Sequence, residues 1–110
     1  MKTEEDLITN PTKLFTLILL YERDMHGYEI MEEFMRRLDK KLSPGQIYPL
    51  LSRMLKKGLV EFYEEFQGKR KRKVYRLTEK GKEACKKAVR KLKNMFYLLE
   101  WLFTHNGKHL

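Results

Sequence analysis

SPGQIYPLLSRMLKKG, Ser43–Gly58, reads as one short helix with two unlike faces. Ser43 suits the N-cap, Pro44 the first helical position, and Gln46 the third residue of a capping box. Gly58 suits the left-handed turn that follows a helix. Ile47, Leu50, Leu51, Met54 and Leu55 recur at i, i+3, i+4, i+7 and i+8, a single apolar stripe. The opposite face carries Gln46, Pro49, Ser52, Arg53, Lys56 and Lys57, with Tyr48 at its edge, and has no acid. A helix with an apolar back and a neutral-to-basic front can lie in a DNA groove. An ordinary surface helix with a solvated basic face has the same pattern.

Upstream, Met1–Thr9 reads as a loose lead-in, and Asn10-Pro11 as a turn with Thr12 as the cap. Thr12–Glu22 reads as a helix apolar on most sides: Leu14, Leu17, Ile18 and Tyr21 form a stripe that Phe15, Leu19 and Leu20 widen. Such a helix is either central in a core or covered by a second chain. Arg23–His26 reads as a connector with Asp24 as the capping residue, and His26–Lys40 as a second helix with Ile30, Met31, Phe34, Met35 and Leu38 inward.

Downstream, the period changes to two. Leu59–Phe66 reads as a strand and Val74–Leu77 as a shorter one. Gln67–Lys73 is the expected loop between them, with Gly68 for the turn and Lys69, Arg70, Lys71, Arg72 and Lys73 as five consecutive cations. Thr78 caps a last helix running from Glu79 to about Thr104. Cys85, Ala88, Leu92, Met95, Leu99 and Leu102 follow a heptad seam, and Val89, Phe96 and Phe103 repeat beside it. At ~1.5 Å per residue the helix is roughly 35–40 Å long, more than one small domain covers.

The length of 110 residues suits one domain, too small for a large enzyme cleft. The charge is uneven. Residues 1–40 hold six Lys/Arg and nine Asp/Glu, a net −3, and residues 41–110 hold eighteen and six, a net +12. That asymmetry points to a polyanion, nucleic acid before an anionic membrane. One cysteine excludes an intrachain disulfide and fits a reducing compartment. The N-terminus has no signal-peptide character, and Leu17–Tyr21, as long as any apolar run in the chain, is too short to span a bilayer. The expectation is a cytoplasmic protein that engages no membrane.

Three helices and a hairpin in this order make a winged helix-turn-helix, mainly α in an α+β fold, with a two-stranded wing. The motifs His26-Gly27-Tyr28-Glu29-Ile30, Ser43-x-Gly45-x-Ile47-Tyr48-Pro49-Leu50-Leu51, Gly58-Leu59-Val60 and Arg72-Lys73-x-Tyr75-Arg76-Leu77-Thr78-x-x-Gly81 stand in sequence. Over about residues 12–82 the chain thus closely resembles the PadR family of transcriptional regulators. The resemblance implies a homodimer that binds double-stranded DNA at an inverted-repeat operator, usually to repress. It divides the chain into a DNA-binding domain, 1–78, with a flexible lead-in over 1–10, and a dimerisation helix and tail, 79–110. Carried over residue by residue, Ser43, Gly45, Gln46, Tyr48, Pro49, Ser52 and Arg53 face the groove, with Lys56 on the same front. Tyr28 is a phosphate contact, and Lys69, Arg70, Lys71, Arg72 and Lys73 are wing contacts. The dimer would use Leu14, Phe15, Ala88, Leu92, Met95, Phe96, Leu99, Leu102 and Phe103.

The resemblance leaves room for a small-molecule effector at the dimer interface. Relatives that bind flat aromatic drugs carry a tryptophan inside the terminal helix. Leu92 stands at that position here, and Trp101 lies near the chain's end, which argues against drug sensing. No catalytic triad, phosphate loop or metal-ligand spacing stands out, so neither enzyme, cofactor nor metal is expected. His105 and His109 are i,i+4 only on paper, with Gly107 between them. The alternatives to a sequence-specific regulator are a winged-helix module for an acidic protein and a non-specific coat on DNA.

Overall fold

The computed structural model describes Leu7 and residues 9–106. Helix α1, Pro11–Glu22, is the centre of the core. Asn10, rather than Thr12, caps it: the Asn10 side chain accepts from the Lys13 N–H at 3.2 Å, and Pro11 takes the first helical turn. Asparagine is the stronger cap, and the fixed φ of proline favours the first helical position. Leu14, Leu17, Leu19 and Leu20 are buried around the helix, and Phe15 meets Phe34 edge-on at 5.0 Å. The lead-in is not wholly loose, because Leu7 is 0% exposed within this core. The rest of the expected lead-in, residues 1–6 and 8, lies outside the described residues, as do Gly107 and His109.

The connector contains a short strand, β1, Met25–His26. Asp24 does not cap the next helix; its carboxylate accepts from the Tyr63 hydroxyl at 3.0 Å. Helix α2, Gly27–Leu38, is capped by His26. The Glu29 N–H donates to His26 Nδ1 at 3.4 Å, and the His26 N–H donates to Glu29 Oε1 at 3.1 Å, a reciprocal capping box. Asp39 ends the helix in the left-handed region, φ 52°.

Helix α3, Pro44–Lys56, lies within the expected span. The Ser43 N–H donates to Gln46 Oε1 at 2.9 Å. Ile47, Leu50, Leu51 and Met54 are buried, as their spacing requires, and Gly58 turns the chain at φ 73°.

The sheet has three strands, not the expected two, in the order β1-β3-β2. Strand β2, Val60–Gln67, pairs with β3, Arg70–Leu77, in a register from Val60↔Leu77 to Gln67↔Arg70. Strand β1 adds to the other edge of β3 through Met25↔Tyr75 and His26↔Val74. The turn is therefore only Gly68-Lys69, and the cations from Arg70 to Lys73 belong to a strand instead of a loop. Cross-strand charge explains the longer pairing: β2 is acidic where β3 is basic. Arg76 Nε lies 2.8 Å from Glu61, and Lys71 Nζ 3.5 Å from Glu64.

Helix α4, Glu79–Asn106, is 28 residues long. Thr78 starts it by accepting from the Gly81 N–H at 3.0 Å while its hydroxyl donates to the Gly58 carbonyl at 2.6 Å. One side chain thereby ties the end of α3 to the start of α4. The helix runs past its expected end at Thr104, and polar side chains of its last turn hydrogen-bond back to carbonyls four residues earlier. Thr104 donates to Glu100 O at 2.9 Å and Asn106 to Leu102 O at 3.1 Å. Ala84, Cys85 and Ala88 pack into the core, Leu92 is half-buried, and every residue from Lys93 to Asn106 is exposed.

Candidate nucleic-acid interface

The polar front of α3 is open to solvent along its length. Ser43, Gly45, Gln46, Tyr48, Pro49, Ser52, Arg53 and Lys56 are all exposed. Pro49 sits inside the helix and removes one hydrogen bond to Gly45 near its start.

Beside that front lies a groove of about 600 Å³. Tyr28 from α2, Tyr48 from α3 and Arg70, Lys71, Arg72 and Lys73 from β3 share its lining. Residues from three separate motifs therefore converge on one concavity. The two tyrosines bring hydroxyl groups and the strand brings four cations, the donor set for phosphate oxygens. Lys69 stands at the exposed turn beyond them.

His26, Gly27 and Tyr75 also line the groove, and the site residues inferred from sequence omit them. Gly27 has a steric reason to be there. A Cβ at this position would lie 2.6 Å from the Tyr48 ring, so the ring lies directly over the backbone that starts α2. His26 has an electronic one. Its Nδ1 accepts from the Glu29 N–H, while its Nε2 lies 3.0 Å from Nη1 of Arg72. A neutral imidazole has one lone-pair nitrogen. The contact that caps α2 and the contact that holds Arg72 therefore exclude one another in either tautomer. Arg72 is thus held by His26 only in the tautomer that gives up the α2 cap. The signal for His26 was in the sequence as His-x-x-Glu, a capping box with an unusual first residue. Tyr75 is buried, and only the strand register reveals that it meets the groove.

Glu29 shows the local field. Burial pushes its carboxyl up, but the His26 N–H and Arg23 more than offset this and hold it below the usual carboxylate range. Tyr63, whose hydroxyl is held by Asp24, is raised above an ordinary tyrosine.

The proposed dimer residues fall into two groups. Leu14 and Ala88 lie in the protomer's own core, and Phe15 packs against Phe34. Met95, Phe96, Leu99, Leu102 and Phe103 are exposed on the free length of α4, with Leu92 between the two groups. A second cavity, about 540 Å³, lies where α1 and α4 meet, with Ile18, Tyr21, Cys85 and Val89 as its apolar part. Among the described residues no three metal-ligating side chains come together. His105 instead stacks on Trp101 at 4.0 Å. No helix of the described residues is long and apolar enough to cross a membrane.

A helix-turn-helix pair, a basic antiparallel wing and a long terminal helix define a winged-helix protein of the DNA-regulator class. The sequence profile of the transcriptional regulator PadR-like family matches residues 16–87, and the chain belongs to that family. An uncharacterized protein of Lysinibacillus sphaericus is 31% identical over 88 residues, spanning 77% of this chain and 81% of its own length. A PadR-like transcriptional regulator of Bacillus cereus superposes with a TM-score of 0.76 at 25% identity, over 89% of this chain and 96% of that one. Bacillus subtilis PadR, solved in complex with operator DNA, superposes at 0.66 with 30% identity, over 70% of this chain and 44% of that one.

Proposed function

We propose that the chain is a dimeric, sequence-specific DNA-binding repressor that acts in the cytoplasm on an inverted-repeat operator. The observation that carries the reading is the basic groove between α2, α3 and the wing. It gathers Tyr28, Tyr48 and four wing cations beside the open front of α3. The front of α3 enters the major groove, and the wing and Tyr28 hold the flanking phosphates. Arg53 is the candidate base reader, because guanine offers two acceptors to a guanidinium. The complex of Bacillus subtilis PadR with operator DNA supports the same partner for this chain.

Selection from a random duplex pool by the purified protein tests this. The expected product is a palindrome with half-site centres about 34–36 Å apart, one helical turn, or a multiple of it. Recovery of no preferred sequence at physiological salt leaves a non-specific coat or a protein-interaction module and overturns the proposal. Repression itself is read by placing the selected site at a reporter promoter. The reporter should fall when the protein is supplied.

A further inference from the structure

One face of the wing carries a strip of rings that the cations alone do not account for. Phe62, Glu64 and Phe66 on β2 pair with Tyr75, Lys73 and Lys71 on β3, so the six share one face of the hairpin. Tyr75 lies 6.0 Å from Phe62, ring to ring. Lys73 Nζ sits 4.6 Å above the Phe62 ring, and Lys71 Nζ 5.8 Å above that of Phe66. Tyr75, Lys73 and Lys71 also line the basic groove. The strip therefore continues from the groove to the tip of the wing. Glu64 is its one acid, and Lys71 neutralises it at 3.5 Å.

Phe66 ends the strip one residue before the Gln67–Arg70 turn and is 67% exposed, more than any other large apolar side chain outside α4. Six steps of strand from Val60, at ~3.4 Å each, place it roughly 20 Å from the base of the hairpin where α4 begins. An exposed ring on an edge strand is a liability that a charge at the same position removes. Here the neighbouring cations instead frame an apolar point. That combination fits a duplex groove: the cations take the two phosphate rows and the ring meets sugars or a base step between them.

We infer that Phe66 is an apolar wedge that enters the minor groove beside each half-site and partly unstacks a base step there. The inference rests on the DNA-binding reading above. It assigns to Phe66 a part in shape-dependent specificity, favouring a deformable pyrimidine–purine step at that position.

The test uses the full chain and the duplex recovered by selection, with 2-aminopurine placed in turn at the adenines flanking each half-site. Phe66→Ala should raise Kd roughly tenfold, the loss of one buried ring, at every salt concentration. Its plot of log Kd against log salt should run parallel to the parent's, since no phosphate contact is lost. Phe66→Lys should also weaken binding despite its added charge. The parent should brighten 2-aminopurine at one flanking step, and Phe66→Ala should not.

Unchanged binding by Phe66→Ala overturns the inference. So does tighter binding by Phe66→Lys with a steeper salt slope, because the tip would then be merely electrostatic. A matching fall in melting temperature of Phe66→Ala would make the ring a brace for the hairpin and is equally fatal. Stronger binding to the isolated single strand of the same sequence would make the strip a base-stacking platform, not a wedge. In each of these cases the parent still selects a duplex. Failure of the parent to bind any duplex removes the DNA-binding reading as well.

Discussion

Two glycines in the motif set have different physical reasons, and substitution separates them. At Gly27 the added Cβ meets the far end of the Tyr48 ring, which can swing aside. At Gly81 it collides with the backbone carbonyl of Leu59, which cannot, and the Leu77 side chain lies 3.1 Å away. We expect Gly81→Ala to cost ~2–3 kcal/mol, an overpacking penalty, and to lower the melting temperature. Gly27→Ala should melt within ~1 kcal/mol of the parent yet weaken DNA binding about fivefold, since Tyr48 loses the pose in which it lines the groove. Thermal melts and binding isotherms on both variants check this, and the reverse assignment of effects would refute the site geometry. Both glycines stand in the quoted motifs, but the sequence does not say which contact each one permits. Those reasons appear only when α2 meets α3 and α4 meets the Leu59 carbonyl.

The elements were legible in proportion to how local their causes are. The stripe of α3, its proline start and its glycine stop lie within sixteen residues, and the structure keeps them. Strand β1 is two residues long and exists only because β3 lies alongside, so no period reveals it. The wing cations read as a loop because charge runs usually are solvated, whereas acidic β2 draws them into a strand. Alternation along β3 then divides their roles, and removing Arg70 and Arg72 together should weaken binding to every duplex. If both contact phosphates, the slope of log K against log salt should become shallower by up to ~2. Equal slopes for variant and parent would exclude the wing as a phosphate contact.

The α1–α2 contact has its own signature. Arg37 donates to both Glu22 oxygens, at 2.8 and 2.7 Å, and this pair holds Glu22 below its ordinary 4.5. Hydrogen bonds from Arg36, and then from Arg37, do the same for Glu33. A lowered carboxyl pKa stabilises the fold fully above the unfolded value, and the contribution is lost as pH falls through the folded one. The melting-temperature gap between parent and Glu22→Gln should therefore be present at neutral pH and close on acidification below about 4.5. A gap independent of pH would assign it to packing instead.

At the scale of the whole molecule the question is what covers α4. The helix spans 28 residues, ~42 Å, but the body covers only its first half. The stripe that packs inward as Ala84, Cys85 and Ala88 continues outward as Met95, Leu99 and Leu102, with Phe96 and Phe103 beside it. Tyr97 and Trp101 widen the apolar surface further round the helix. So large a contiguous patch marks an association surface, and a second copy offers the same stripe through two-fold symmetry. The heptad spacing leads to the same expectation. Spacing alone cannot reveal that Leu14 and Ala88, grouped with the interface, are consumed by the chain's own core, because burial depends on where α1 crosses α4. The informative substitutions are therefore the exposed ones. Leu99→Asp with Leu102→Asp should leave the protomer folded by circular dichroism, since neither side chain lies in its core. Sedimentation should change from dimer to monomer, because two carboxylates per helix cannot be buried unpaired in the seam. Affinity for a single half-site should persist while affinity for the palindrome collapses toward it, as the linked second site contributes through effective concentration. A variant that still sediments as a dimer, or a parent that is monomeric at working concentration, would show that α4 does not set the distance between two reading heads.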